Sequence, residues 1–218
     1  MRKFVVFFCL CMAAGMACAR TWTHSAGGGI SVPYVSLDAE QDGTKSLFAP
    51  QGNLRYIGMH ENGFCVTAGL NAGLPLSKDF VLEKGNDTAG GFGMGLSLGA
   101  GYAFVRGEKL TVAALGSVGL DWFRFTHKKE LKASTSSGTY TAEWTQTDNA
   151  LVFGVGVEIF ASYNLTSHLS LFADCAVRYL DAGRIWTEGK NVSKNYDTRQ
   201  KVRGYVSITP ALGVRWAF

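Results

Sequence analysis

The sequence predicts an all-β fold, a transmembrane antiparallel up-and-down β-barrel of about eight strands. Three observations carry that expectation. From Gly63 onward, apolar residues recur at alternate positions, the signature of strands with one apolar face. The intervening face is small or polar, and 27 of the 218 residues are glycine. The large aromatics gather at the ends of the alternating segments. Charged residues make up 17% of the chain and apolar residues 47%, which excludes a disordered, charge-rich chain. Beyond the N-terminal segment no apolar run approaches the roughly 18 residues that a spanning helix needs.

In chain order, residues 1–19 read as a signal peptide and 20–218 as the barrel domain. Arg2 and Lys3 supply a positive start, Phe4 to Ala14 an apolar stretch, and Ala17-Cys18-Ala19 a small-residue cleavage site. A second reading makes Cys18 a lipidated residue. Gly15 argues against it, standing where an aliphatic residue is usual.

The first strand, roughly Thr23 to Leu37, places Ile30, Val32 and Tyr34 on one face. The second, near Phe48 to Met59, alternates poorly and is placed by the even strand number of closed single-chain barrels. Six clearer strands follow: Phe64 to Leu74, Phe92 to Phe104, Leu110 to Trp122, Leu151 to Tyr163, Leu169 to Tyr179, and Tyr205 to Phe218. In the last, Val206, Ile208, Pro210, Leu212, Val214, Trp216 and Phe218 share a face. Short turns fall at His60 to Gly63, Arg106 to Lys109 and Asn164 to His168. Long polar stretches at Asp38 to Leu47, Ser77 to Gly91, Thr126 to Asn149 and Ile185 to Arg203 are expected to be loops.

Alternation alone also fits a soluble barrel or sandwich. The glycine-rich face is too small to coat a protein against water, but it suits the crowded interior of a narrow barrel. The aromatics also form two rings. Phe64, Tyr102, Phe104, Tyr163, Trp216 and Phe218 fall at the short-turn end, and Phe92, Trp122, Phe153 and Tyr179 at the other. Two such rings flanking an aliphatic band mark the two lipid–water interfaces.

The ending Leu212-Gly-Val-Arg-Trp-Ala-Phe218 resembles the C-terminal signature of bacterial outer-membrane barrels. With the leader and the strand rhythm, the chain resembles the small eight-stranded group that includes the OmpA membrane domain, opacity proteins and the outer-membrane protein W family. The resemblance implies that Trp216 and Phe218 form an assembly signal read by the barrel-assembly machinery, with outer-membrane lipid as solvent. It leaves the subgroup open. Pro210 departs from the pattern, because proline removes a ladder donor, and it is expected to mark a bulge or an open seam.

The polar face supplies a lumen network of Asp121, Glu158, Asp174, Arg178 and Arg215. Charges in a narrow barrel must pair or stay wet, so these residues form either a constriction for small solutes or a plug. No nucleophile and base accompany them, and the chain is read as a non-enzyme without cofactors. The four histidines lack metal-ligand spacing. One basic cluster lies at His127, Lys128, Lys129 and Lys132. A second runs through Arg184, Lys190, Lys194, Arg199, Lys201 and Arg203. With a net charge of +4, they point to lipid headgroups or host polyanions, aided by Tyr140, Trp144 and Trp186; no nucleic-acid reader motif is present. Past the leader, Cys65 faces inward and Cys175 outward on distant strands, which forbids a disulfide. The expected function is a narrow or plugged pore for small solutes. The alternative is an opacity-like adhesin binding polyanions through its loops.

Overall fold

The computed structural model describes residues 22–39, 43–76, 88–135, 138–190 and 195–218; the leader lies outside these segments. The described chain forms one antiparallel sheet of ten strands: β1 (Trp22–Ser31), β2 (Tyr34–Ala39), β3 (Gly43–Phe48), β4 (Gln51–His60), β5 (Phe64–Gly73), β6 (Thr88–Arg106), β7 (Leu110–Thr135), β8 (Gly138–Asn164), β9 (Leu169–Lys190) and β10 (Asn195–Ala217). The ring runs β1-β4-β5-β6-β7-β8-β9-β10 and closes by pairing β10 with β1. β2 and β3 are the outward continuations of β1 and β4, interrupted at Pro33 and at Pro50. Ten segments therefore make an eight-stranded barrel, the strand number expected from the sequence.

The prolines act together. Pro210 O accepts from Val32 N (3.1 Å), Pro33 O from Ala49 N (3.0 Å) and Pro50 O from Leu74 N (3.1 Å). In an antiparallel strand a residue's N–H and C=O point to the same neighbour. Each proline therefore withholds one donor from the seam in which its carbonyl bonds. The seams β10/β1, β1/β4 and β4/β5 each lose a rung. No bulge forms at Pro210, because β10 stays in register with β9 straight through Pro210↔Cys175. The missing donor falls instead on the other side, where β1 gives way to β2.

Three of the expected loops are largely strand. Asp38 to Leu47 has its two ends in β2 and β3, and Ser77 to Gly91, the fourth, lies mostly outside the described residues, its last four in β6. Thr126 to Asn149 and Ile185 to Arg203 lie largely within β7 to β10, which are 26, 27, 22 and 23 residues long. These stretches lack apolar alternation because neither face meets lipid, yet their Thr, Tyr and Trp residues favour strands. A barrel strand needs about 9–11 residues to cross a bilayer. At about 3.3 Å per residue and a tilt near 45°, β7 continues roughly 30 Å past Trp122.

The register shifts at two matched places near that rim. Phe153 pairs with Ala182 but Val155 with Tyr179, so two steps along β8 meet three along β9. Likewise Val202 pairs with Ala39 but Gly204 with Asp38. Each shift adds one residue to its strand, which bends it and reverses the sequence parity of its faces.

At the opposite rim the chain turns tightly. Gly63, with φ of 100°, closes the β4–β5 turn by donating to His60 O at 2.9 Å. Around the wall, large apolar residues face outward and are exposed, among them Leu54, Leu70, Leu98, Val157, Ile159 and Leu212. The aromatics expected at the rims, including Phe64, Tyr102, Trp216, Phe92 and Tyr179, also point outward. An apolar band of this extent is a lipid-facing surface. Cys65 is buried, Cys175 is exposed on the outer face, and both are free thiols.

Candidate functional site

The lumen is stacked in layers. Near the short turns Ile57, Cys65, Ala103, Ala113, Leu115, Phe160 and Phe172 form a buried apolar cluster, with Met59 packed against it. Toward the long-strand end Val35, Leu37, Leu47, Phe123, Phe125, Val152, Ile185 and Tyr205 belong to a second one. Between them lies a polar layer, positioned by inward residues of β4, β7, β8, β9 and β10.

Arg55 on β4 is the centre of that layer. Its Nη1 donates to Asp174 Oδ2 on β9 at 2.8 Å, and its Nη2 pairs with Glu158 Oε1 on β8. Glu158 stands opposite Ala176, so Asp174 and Arg178 flank it on the neighbouring strand. Arg178 Nε reaches Ser117 Oγ on β7 at 3.4 Å, and Tyr205 OH donates to Asp121 Oδ2 at 2.7 Å. Glu158, Asp121, Asp174 and Arg178 are all buried.

Arg215 belongs to a different place. Its guanidinium donates to Ser25 Oγ at 3.3 Å and to Ser162 Oγ at 2.8 Å. It also lies 5.5 Å from the centre of the Phe160 ring, while Arg55 lies 5.7 Å from the same ring. The single network expected from sequence is therefore three linked groups: Arg55 with Glu158 and Asp174, Asp121 with Tyr205, and Arg215 on Phe160. In the polar layer Arg55 and Arg178 stand among Glu158, Asp174 and Asp121, while Arg215 lies apart, against Phe160 of the inner apolar cluster.

A small cavity adjoins Arg55. Ser31, Asn53, Asn71, Ser97 and Thr209 help line it, and about 20 Å³ is open to the centre of a water molecule, room for about one. Ser31 Oγ, Asn53 Oδ1 and Arg55 Nε are buried there without a protein hydrogen bond. Such a polar niche suits a bridging water.

Arg55 and Tyr205 were not among the expected site residues. Arg55 falls in the second strand, where inward Ile57 and Met59 and outward Gly52 and Gly58 obscure the alternation. Its signal was the inward polar run Gln51, Asn53, Arg55, legible only once that strand's phase is known. Phe160, Phe172 and Phe123 are apolar residues on the nominally polar face, which reads as noise until the lumen is seen to be packed.

The basic residues divide in two. Arg184, Arg199, Lys201 and Arg203 are exposed around the rim, on β9 and β10. His127, Lys128, Lys129 and Lys132 run up β7 toward its tip, with Lys128 exposed. Lys190 ends β9, and Lys194 lies outside the described residues.

No family model matches the chain, and no curated protein does. Solved structures do. A major outer membrane protein from Thermus thermophilus is similar, with 17% identity and a TM-score of 0.57, over 88% of this chain and 99% of that one. Ail, the attachment invasion locus protein of Yersinia pestis, is similar at 15% identity and a TM-score of 0.40, over 90% and 97% of the two chains. Neisserial surface protein A gives 14% and 0.45, over 90% and 97%. The chain has the fold of the small eight-stranded β-barrels of bacterial outer membranes.

Proposed function

We propose that this is a non-enzymatic integral outer-membrane protein whose lumen is a plug and whose protruding β7–β10 wall is an interaction surface. The layering of the lumen carries the reading. Two buried apolar clusters sandwich an ion-paired polar layer, and an eight-strand interior is just wide enough for side chains to fill. A solute path would need a continuous polar lining, and both clusters interrupt it. Exported barrels of this kind reach the membrane through a cleaved leader and the assembly machinery, the roles assigned here to residues 1–19 and to Trp216 and Phe218. The wall above the membrane is the part able to meet a partner, and the cations climbing β7 suit a polyanion.

Purified, refolded protein in planar bilayers tests the plug. Electrically silent barrels are the expected result; steady ohmic steps overturn it. The cavity beside Arg55 favours a second reading, a gated pore for small solutes. That reading expects Arg55→Ala to raise conductance, whereas the plug reading expects silence with lower stability.

A further inference from the structure

We infer that the outward face of β9 and β10, just above the aromatic rim, binds the phosphorylated headgroup of an outer-leaflet glycolipid. The inference is separate from the interaction reading, because it concerns the membrane side of the wall rather than its tip.

The register places the cations. One row across the wall runs Trp122, Leu151, Arg184, Lys201; the next row outward runs Arg124, Asn149, Trp186, Arg199. Leu151 is exposed, as are Arg124, Arg184, Arg199, Lys201 and Arg203. Their inward neighbours Phe123, Ile185, Val202 and Tyr205 are buried, which fixes the cations on the outer surface. Apolar wall and positive charge thus meet at the level where a lipid changes from chain to headgroup. In barrels of this architecture the short turns face the periplasm, so this level is the outer leaflet's.

The arrangement calls for an anion. Arg184 stands directly opposite Lys201 in the antiparallel pair, where like charges destabilise each other. Arg199 and Arg203 flank Lys201 on the same strand face but already engage other groups of the protein, so the like-charged pair facing the lipid is Arg184 with Lys201. Among the described side chains of this face, Glu188 and Asp38 are the exposed acids. Glu188 lies farther out than Trp186, and Asp38 faces Gly204 on the β2 side. Neither stands between Arg184 and Lys201. Strands about 4.8 Å apart bring the two cations within reach of one phosphate, which a guanidinium can hold with two parallel bonds. Trp186 stands opposite Arg199, one row outward of Arg184, with an indole suited to the interface. Acyl chains would lie on the apolar band below.

The test uses the full-length barrel in zwitterionic micelles, with lipid A carrying both phosphates and its dephosphorylated form as probes. Native mass spectrometry counts lipids per barrel. The phosphorylated form is expected to bind at least about tenfold more tightly, a difference of about 1.4 kcal/mol. R184Q/K201Q is expected to abolish that preference while the heat-dependent gel shift of the folded barrel stays unchanged. Equal binding of the two lipids, or an unchanged preference in the variant, overturns the inference. A soluble sulfated oligosaccharide that displaces lipid A at equal concentration also overturns it, because the occupant is then a free polyanion. Without added lipid, the variant is expected to unfold at the same or a higher temperature than the parent, since a like-charge pair has gone. Destabilisation would show that the cations are paired within the protein and also count against the inference.

Discussion

The barrel wall has two unlike halves. From β6 to β9 the strands are long and pair along most of their length, with single register shifts at Ala103/Val105 and Phe153/Val155, and β7 with β8 runs in unbroken register from Leu110↔Tyr163 to Thr135↔Gly138. Around β1, β4 and β5 the strands are 10 residues each, and prolines remove a rung from three consecutive seams. The rungs of the first half hold themselves. The second half depends more on what its inward side chains reach across the lumen. Arg55, on the interrupted half, grips Glu158 and Asp174 on the continuous half. The ion pair is thus a tie between the two halves as well as part of a plug.

Cutting that tie is the strongest way to test the contrast. Arg55→Leu leaves two buried carboxylates without their shared cation, and breaking a buried pair this way costs about 3–5 kcal/mol. Urea titration of the refolded protein in vesicles should show that loss; a change within about 0.5 kcal/mol, the usual size for a surface site, would mean the halves do not rely on Arg55. A middle-sized effect is expected on the continuous half. A Cβ at Gly154 would lie 2.7 Å from Tyr205 Cε1, so Gly154→Ala overpacks the outer apolar cluster and should cost about 1–3 kcal/mol. The same urea assay reads it, and a neutral result would show that Tyr205 has room to move. The smallest effect belongs to the seam. Pro210→Ala restores a donor beside Val32, worth about 0.5–1.5 kcal/mol, and gives back unfolded-chain freedom of about 0.4–1 kcal/mol. Overall stability should barely change, while amide exchange along Gly27 to Ser31 should slow. If exchange there matches that of Val118 to Asp121 in the unmutated protein, the two halves are equally firm and the comparison fails.

The alternation that disclosed the fold also limited what could be read. It is imposed by lipid, so it is clearest where lipid touches one face: Phe92 to Phe104, Leu110 to Trp122 and the last strand. Glu158, Asp174 and Arg178 were legible as inward because they interrupt strong apolar rows. Arg55 was not, because its strand carries Gly52 and Gly58 outward and Ile57 and Met59 inward. Beyond the membrane no solvent boundary separates the two faces, and β7 to β10 there looked like loops. The proline row was invisible for another reason. Pro33, Pro50 and Pro210 are far apart in the chain, and only the register makes them neighbours.

The matched one-residue insertions in β9 and β10 act as a parity switch. Below them, odd-numbered positions such as Cys175, Val177 and Tyr179 meet lipid; above them, even-numbered Arg184 and Trp186 face out and Ile185 faces in. Removing one residue between Tyr179 and Ala182 would transpose the upper strand. Arg184 and Trp186 would enter the lumen, and Ile185 would be presented to solvent. The chain can thus lengthen its wall above the membrane and choose afresh which side chains look outward, without altering a residue of the lipid-facing band.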